Sequence, residues 1–107
     1  MDEGYFPGRP AETVTFSSFV QRHAGKDIGN AKWSFHRYVM GLMRAHSGTA
    51  NKFVTNNLGF GYKHYYLLIT KDYLSAVTVD AIRQLLNVDV SVFMSNYYPP
   101  ILQKNVS

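Results

Sequence analysis

Hydrophobic residues recur along this chain at two different spacings, and each spacing predicts a different kind of element. Between Ala31 and His46 they return every three or four residues, which is the period of an amphipathic helix. Asn30 is a favourable N-cap in front of this stretch, and Gly48 is a favourable stop beyond it. The pattern therefore predicts a long helix over residues 31–46. Its core face is formed by Ala31, Phe35, Tyr38, Val39, Leu42, Ala45 and His46.

Two shorter helices are predicted from the same spacing. The first covers residues 16–24, with Thr15 as its N-cap. The second runs from Val79 to Leu86, with Thr78 as its N-cap and Asn87 at its end.

Other segments combine β-branched and aromatic residues with alternation, which favours strands. The clearest are Tyr62–Ile69 and Val88–Met94, and shorter strands are predicted at Lys52–Thr55 and Tyr73–Val77. A turn over residues 56–61 is indicated by its two Asn and two Gly. The predicted fold is therefore α+β, with a small antiparallel sheet packed by the long helix and one or two short helices.

The length of 107 residues predicts one domain. Residues 13–98 are interpreted as the globular part. Gly and Pro in residues 1–12 indicate a flexible N-terminal arm, and Pro99-Pro100 separates a C-terminal tail over residues 99–107.

The amino-acid composition excludes several classes of protein for this chain. The absence of cysteine excludes disulfide scaffolds, iron–sulfur clusters and thiol catalysis. The N-terminus lacks the features of a signal peptide, and no apolar run is long enough to span a membrane. We expect a cytoplasmic protein without a membrane partner, and its surplus of apolar residues also allows a homodimer.

Charge is distributed unevenly. No Asp or Glu occurs from Ile28 to Lys71, whereas this stretch holds six Lys and Arg residues and eight of the sixteen aromatic residues. The sequences on either side each sum to −1, so the six cations in the middle of the chain account for the whole net charge of +4. A basic, aromatic-rich surface is typical of proteins that bind polyanions, of which nucleic acid is the commonest.

One stripe of the long helix concentrates this signal. Trp33, Arg37, Met40 and Arg44 lie on one side at the helical period, opposite the predicted core face. An indole beside two guanidinium groups could stack on a base and neutralise two phosphates. The alternative is that Trp33 and Met40 pack on a neighbouring element while the arginines reach solvent. With nearby residues, the predicted binding site is Trp33, Arg37, Met40, Arg44, Lys52, Lys63 and His64.

A second signal is a resemblance over Thr78–Phe93. Ile82, Leu86, Val88 and Phe93 are apolar where a helix-turn-helix motif packs its two helices, and Asn87 stands at the tight turn. The segment resembles that family, which implies a mainly α fold and DNA binding. It departs from the pattern at Arg83, where a small residue is usual, and in its recognition helix, residues 91–98, which lacks Lys and Arg.

The predicted function is binding without catalysis. The sequence has no phosphate-binding glycine loop and no nucleophile elbow, and its carboxylates are scattered, so no catalytic residue, metal site or cofactor is predicted. Nucleic acid, DNA or RNA, is the first partner. The first alternative is a protein-interaction module that uses the same face against an acidic protein surface, such as a small inhibitor or adaptor of a phage or mobile element. The second is a metal-independent ribonuclease that uses His64, Lys63, Tyr66 and Arg44.

Overall fold

The computed structural model describes residues 8–22 and 30–94, and five α-helices follow one another there. They are α1 (Phe16–Arg22), α2 (Ala31–Ser47), α3 (Ala50–Leu58), α4 (Tyr62–Thr70) and α5 (Ala76–Leu86), followed by a 3₁₀ helix, Ser91–Phe93. Within those ranges, extended pairing is limited to two isolated parallel bridges, Val14 with Val88 and Leu74 with Met94. The prediction of an α+β fold with an antiparallel sheet is therefore wrong, and the mainly α alternative is right.

The long helix is confirmed, with both of its predicted caps. The Asn30 side-chain oxygen accepts a hydrogen bond from the Trp33 N–H at 3.0 Å, which satisfies a donor of the first turn. At the other end Gly48 adopts a φ of 94°, and its N–H donates to the Arg44 carbonyl at 2.7 Å. Seventeen residues give α2 a length of about 25 Å.

The core face of α2 differs from the predicted one in part. Phe35, Val39 and Leu42 are buried as expected, but Ala45 is exposed. His36 and Met43 are buried instead. The buried face is thus rotated by part of a turn, because α3 as well as α1 and α5 packs against α2, and His36 contacts Tyr65 of α4.

The predicted strand Tyr62–Ile69 is wrong because this segment is the helix α4. Its buried residues are Tyr65 and Ile69, four positions apart, with Tyr62 half-buried one turn earlier. That is a helical burial period, so packing against neighbouring helices overrides the β propensity of tyrosine and isoleucine. The short strand Lys52–Thr55 is wrong for the same reason, since it lies inside α3.

The two short helices are both found. In α1, Thr15 and Ser18 exchange side-chain to backbone hydrogen bonds of 3.0 Å, which fixes the start of the helix. Residues 23–24 of the predicted helix lie outside the described residues. Helix α5 ends at Asn87 as predicted, with a left-handed φ of 57°, but it begins earlier, because Ser75 and not Thr78 is its cap.

The segment after α5 forms neither the predicted strand nor a helix-turn-helix. Val88 makes a single bridge to Val14, and the chain then turns where the Asp89 side chain accepts from the Ser91 N–H at 2.9 Å. Only one 3₁₀ turn follows, and Met94 returns to an extended conformation. The recognition helix predicted over residues 91–98 is therefore absent through Met94, and residues 95–98 lie outside the described residues. The segment Tyr73–Val77, predicted as a strand, is a loop that leads into α5.

The domain boundaries stay a prediction. Residues 1–7 of the predicted arm and the whole of the predicted tail lie outside the described residues. None of the helices in the described ranges has both the length and the apolar character that crossing a lipid bilayer would require.

Candidate functional site

Helices α2 and α4 run antiparallel and meet through aromatic and sulfur-containing side chains. The rings of Trp33 and Tyr66 are in edge-to-face contact at 5.7 Å between centroids. Two turns further along α2, the Tyr62 hydroxyl donates to the Met40 sulfur at 2.8 Å. Trp33 and Met40 are therefore engaged with α4, as in the alternative interpretation of the stripe.

The two arginines of the stripe lie beside this contact and are exposed. Arg37 follows Trp33 by one turn, and Arg44 follows Met40 by one turn, so both border the line along which α2 and α4 meet. Burial raises the pKa of Tyr62, the neighbouring Tyr66 raises it further, and the charge of Arg44 opposes both. The interaction with Tyr62 places the Arg44 guanidinium group near the α2/α4 boundary.

The outer side of α4 continues the same surface. Lys63, Tyr66, Leu67 and Thr70 are exposed and recur every three or four residues. Tyr66 retains 39% of its surface despite its contact with Trp33. We refer to the patch formed by Trp33, Arg37, Arg44, Lys63 and Tyr66 as the α2/α4 surface.

The cations of this surface have no acidic partner among the described residues. Within residues 8–22 and 30–94, the two ion pairs are Lys32 with Asp72, at 2.9 Å, and Arg83 with Asp80. Asp72, the first acidic residue after the acid-free stretch, thus forms an ion pair with Lys32. Arg37, Arg44 and Lys63 retain their charge for a ligand.

Two residues of the predicted site lie elsewhere. His64 is exposed on another side of α4, where its ring packs edge-on against Phe60 at 5.0 Å. Lys52 is exposed in the first turn of α3. Since Tyr66 faces Trp33 and His64 faces Phe60, the four residues considered for a ribonuclease do not surround one point.

His36 lies on α2 beneath the stripe and is buried. Only 1% of its surface is exposed, and its ring lies 5.1 Å from Trp33, 5.9 Å from Tyr65 and 6.2 Å from Phe93. Among the described residues, neither of its ring nitrogens has a hydrogen-bond partner, nor has the Tyr65 hydroxyl. Burial, reinforced by the neighbouring Arg37, lowers the pKa of His36 to about 4, so this residue adds no charge to the surface near neutral pH.

Gly41 is a feature of the surface that the sequence analysis missed. It lies between Arg37 and Arg44 on the same side of α2, in the interior of the helix. Outside the helix itself, a Cβ atom built there meets no atom of the described residues within 4 Å. Glycine inside a helix lowers stability by about 0.5–1 kcal/mol relative to alanine. Packing against the described residues does not require this glycine, since an alanine would fit in its place. The signal was present in the sequence, as a glycine inside a strongly periodic helix.

A depression elsewhere on the described chain has a different character. It measures about 570 Å³ and lies between α5 and the segment after it, where Asp80 and Asp89 contribute to its lining. A smaller one of about 200 Å³ lies at the start of α2, beside Trp33 and the Lys32–Asp72 ion pair. The carboxylates make the larger depression unfavourable for a polyanion.

The described residues contain no group of three or more His, Cys, Asp or Glu side chains that could hold a metal ion. Comparison of the chain with protein-family models, with curated proteins and with solved structures finds no match.

Proposed function

We propose that this protein binds nucleic acid through the α2/α4 surface. The observation that carries the proposal is that Arg37 and Arg44 on α2 and Lys63 on α4 are exposed and have no carboxylate paired to them among the described residues, while the exposed Tyr66 lies one helical turn from Lys63. Phosphate neutralisation by Lys and Arg supplies most of the affinity of non-specific nucleic-acid binding. Unpaired cations contribute most to it, because they give up no ion pair on binding.

The spacing of the arginines suits a polymer of phosphates. Arg37 and Arg44 are seven residues apart, which is about 10 Å along the helix axis. A nucleic-acid strand carries one phosphate per about 3.4 Å of helix axis, so the two guanidinium groups would contact different phosphates of one strand.

Gly41 supports the same location. A glycine with open space above it lets a ligand approach the helix backbone more closely than any side chain would allow. Its position between the two arginines is where a strand that contacts both of them would pass.

The protein-interaction alternative loses part of its basis. It relied on Trp33 and Met40 as free contact residues, and both are engaged with α4. A ribonuclease would need His64 and Tyr66 to act on one substrate, and these residues face different sides of α4. We therefore do not propose either function.

Fluorescence anisotropy of labelled DNA and RNA oligonucleotides, at about 50 and about 200 mM salt, tests the proposal. If three phosphates are neutralised, affinity should fall about 20- to 40-fold over this range. The double variant Arg37→Gln/Arg44→Gln should bind more weakly at the lower salt concentration. The slope of its log affinity against log salt concentration should become shallower by the amount expected for the loss of nearly two phosphate contacts.

The control removes two charges elsewhere. Arg22→Gln/Arg83→Gln lowers the net charge equally, but Arg22 lies at the end of α1, near Tyr38, and Arg83 is paired with Asp80. We expect this variant to retain most of the affinity. An equal loss in both double variants would show that net charge and not this surface attracts the ligand, and no binding at the lower salt concentration would refute the proposal.

A separate prediction concerns Gly41→Ala. The substitution should raise the free energy of unfolding by about 0.5–1 kcal/mol, because alanine is the better helix former and its methyl group meets no atom of a described residue outside the helix. It should nevertheless weaken oligonucleotide binding. Urea denaturation and anisotropy measure the two effects, and because they have opposite signs, the weaker binding could not be attributed to unfolding. Unchanged affinity would show that no ligand approaches the helix at this glycine.

A further inference from the structure

Two exposed tyrosines lie in and just after α4, Tyr66 within the helix and Tyr73 in the loop that follows it, and each has a cation near it in the chain. Tyr66 is 39% exposed and Tyr73 is 60% exposed, and they are among the four large apolar residues that are exposed in the described chain. Lys63 precedes Tyr66 by one helical turn, and Lys71 precedes Tyr73 by two residues. Both lysines are exposed, and neither is in an ion pair with a described residue.

The backbone holds Tyr73 firmly while its ring stays in solvent. The Tyr73 N–H donates to the Leu68 carbonyl at 2.9 Å, and the N–H of the next residue, Leu74, donates to the Phe93 carbonyl at 3.1 Å. Leu74 itself is buried. An aromatic ring that is exposed on a fixed backbone loses little conformational entropy when it binds a planar ligand.

Tyr66 is likewise fixed, on its inner side. Its edge-to-face contact with Trp33 restrains the ring and leaves part of it open to solvent. Leu67, between the two tyrosines in the chain, is 51% exposed but carries no ring on which a base could stack.

We infer that the ligand is a single-stranded nucleic acid whose unpaired bases stack on Tyr66 and Tyr73. In a duplex the base faces are already stacked, so exposed tyrosine rings gain nothing from it. In a single strand every base offers a free face, and stacking on an aromatic side chain adds to the attraction of phosphates by nearby cations. Lys63 and Lys71 are the exposed cations nearest to Tyr66 and Tyr73 in the chain and would supply that attraction. The inference rests on the proposed function, which it narrows to one class of nucleic acid.

The test compares a labelled oligothymidylate of about 12 nucleotides, within the site sizes of known single-strand binders, with a DNA duplex of equal length. The protein should prefer the single strand. Tyr73→Leu and Tyr66→Leu should each weaken single-strand binding by about 5- to 150-fold, the range that loss of one stacking contact gives. Duplex binding should change little in either variant. The fluorescence of Trp33, the single tryptophan of the chain, should respond to the oligothymidylate because its ring contacts Tyr66.

Conservative variants separate stacking from apolar contact and from folding. Tyr66→Phe and Tyr73→Phe keep a ring and should bind nearly as well as the unmodified protein. Leu67→Ala removes exposed apolar surface without removing a ring and should have little effect. Tyr73 is the decisive position, since its side chain is mostly exposed and its replacement does not disturb the core.

Equal affinity for single strand and duplex, or unchanged binding in both leucine variants, would overturn the inference. If Arg37→Gln/Arg44→Gln still weakens binding in that case, the proposed function stands without it. If Leu67→Ala weakens binding as much as Tyr73→Leu, the patch acts as an apolar contact and base stacking is refuted. Absence of any binding would refute both proposals.

Discussion

Replacement of Phe35 by alanine is expected to lower the free energy of unfolding by about 3–5 kcal/mol. Phe35 is fully buried in α2, and its ring lies 5.5 Å from Phe16, 5.2 Å from Phe19 and 6.2 Å from Phe93. It therefore joins three separate parts of the chain, namely α1, α2 and the 3₁₀ helix. Its loss would leave a cavity and remove ring contacts to all of them.

The effect is large against the total stability of such a domain, which is about 5–15 kcal/mol. Urea denaturation followed by circular dichroism would measure it. Phe35→Leu should cost less, because it fills more of the space, and the exposed Tyr73→Ala should stay within about 0.5 kcal/mol of the unmodified protein. If Phe35→Ala cost no more than Tyr73→Ala, the aromatic cluster around Phe35 could not be the core that joins these elements.

The parts of the fold that the sequence predicted correctly are those fixed by local chemistry. The ends of α2 follow from Asn30 and Gly48, whose side chain and backbone satisfy the free groups of the helix. Asn87 ends α5 for a related reason, because asparagine tolerates the left-handed conformation that the chain needs there. Such signals depend on a few neighbouring residues and on no distant contact.

Helix α4 could not be predicted in this way. Tyr62, Tyr65, Tyr66 and Ile69 fit a strand by composition and a helix by spacing. The choice is made by distant partners, since Tyr62 contacts Met40 and Tyr66 contacts Trp33 on α2. No property of the segment alone contains that information.

The strand predicted over Val88–Met94 is wrong for a different reason. Its alternation is real, because Val88 and Val90 are buried while Asp89 between them is more exposed. Alternation indicates an extended backbone, but a sheet also needs a partner strand. Val88 pairs only with Val14, and the chain turns at Ser91 before a neighbouring pair can form. Met94, after the turn, pairs instead with Leu74, so the two bridges do not join into a strand.

The candidate site was predicted in part. The helical period correctly placed Arg37 and Arg44 on one side of α2 with Trp33 and Met40. It could not show that α4 covers the apolar pair and leaves the arginines exposed, because residues 62–69 were interpreted as a strand. The role of Tyr66 in the surface follows only once α4 is known to be a helix that runs beside α2.

His36 should make the protein less stable in acid, by up to about 3 kcal/mol between neutral pH and pH 4. Burial, with a smaller contribution from Arg37, lowers its pKa from 6.5 to about 4 in the folded chain. In the unfolded chain the ring binds a proton near pH 6.5, whereas the folded chain does not until about pH 4. Between these values the unfolded state holds more protons, so stability rises with pH and the loss occurs as pH falls through this window.

The substitution His36→Leu isolates this effect. Leucine removes the two unpartnered ring nitrogens and the titration together, so the variant should lose much less stability between pH 7 and pH 4. Urea midpoints measured at several pH values for both proteins give the comparison, and the carboxylates that titrate near pH 4 are common to both and cancel in the difference.

His64→Gln is the matched control, because this histidine is exposed on α4 and its replacement should leave the acid loss in place. If the urea midpoints of the unmodified protein and His36→Leu change with pH in parallel, the His36 ring is hydrated or hydrogen-bonded in solution. Converging profiles at neutral pH and diverging ones in acid would instead place an uncharged imidazole between Trp33, Tyr65 and Phe93.

Because Trp33 also borders the α2/α4 surface, protonation of His36 would then disturb the same helix contact that restrains Tyr66. At acid pH, oligonucleotide binding should accordingly be weaker in the unmodified protein than in His36→Leu.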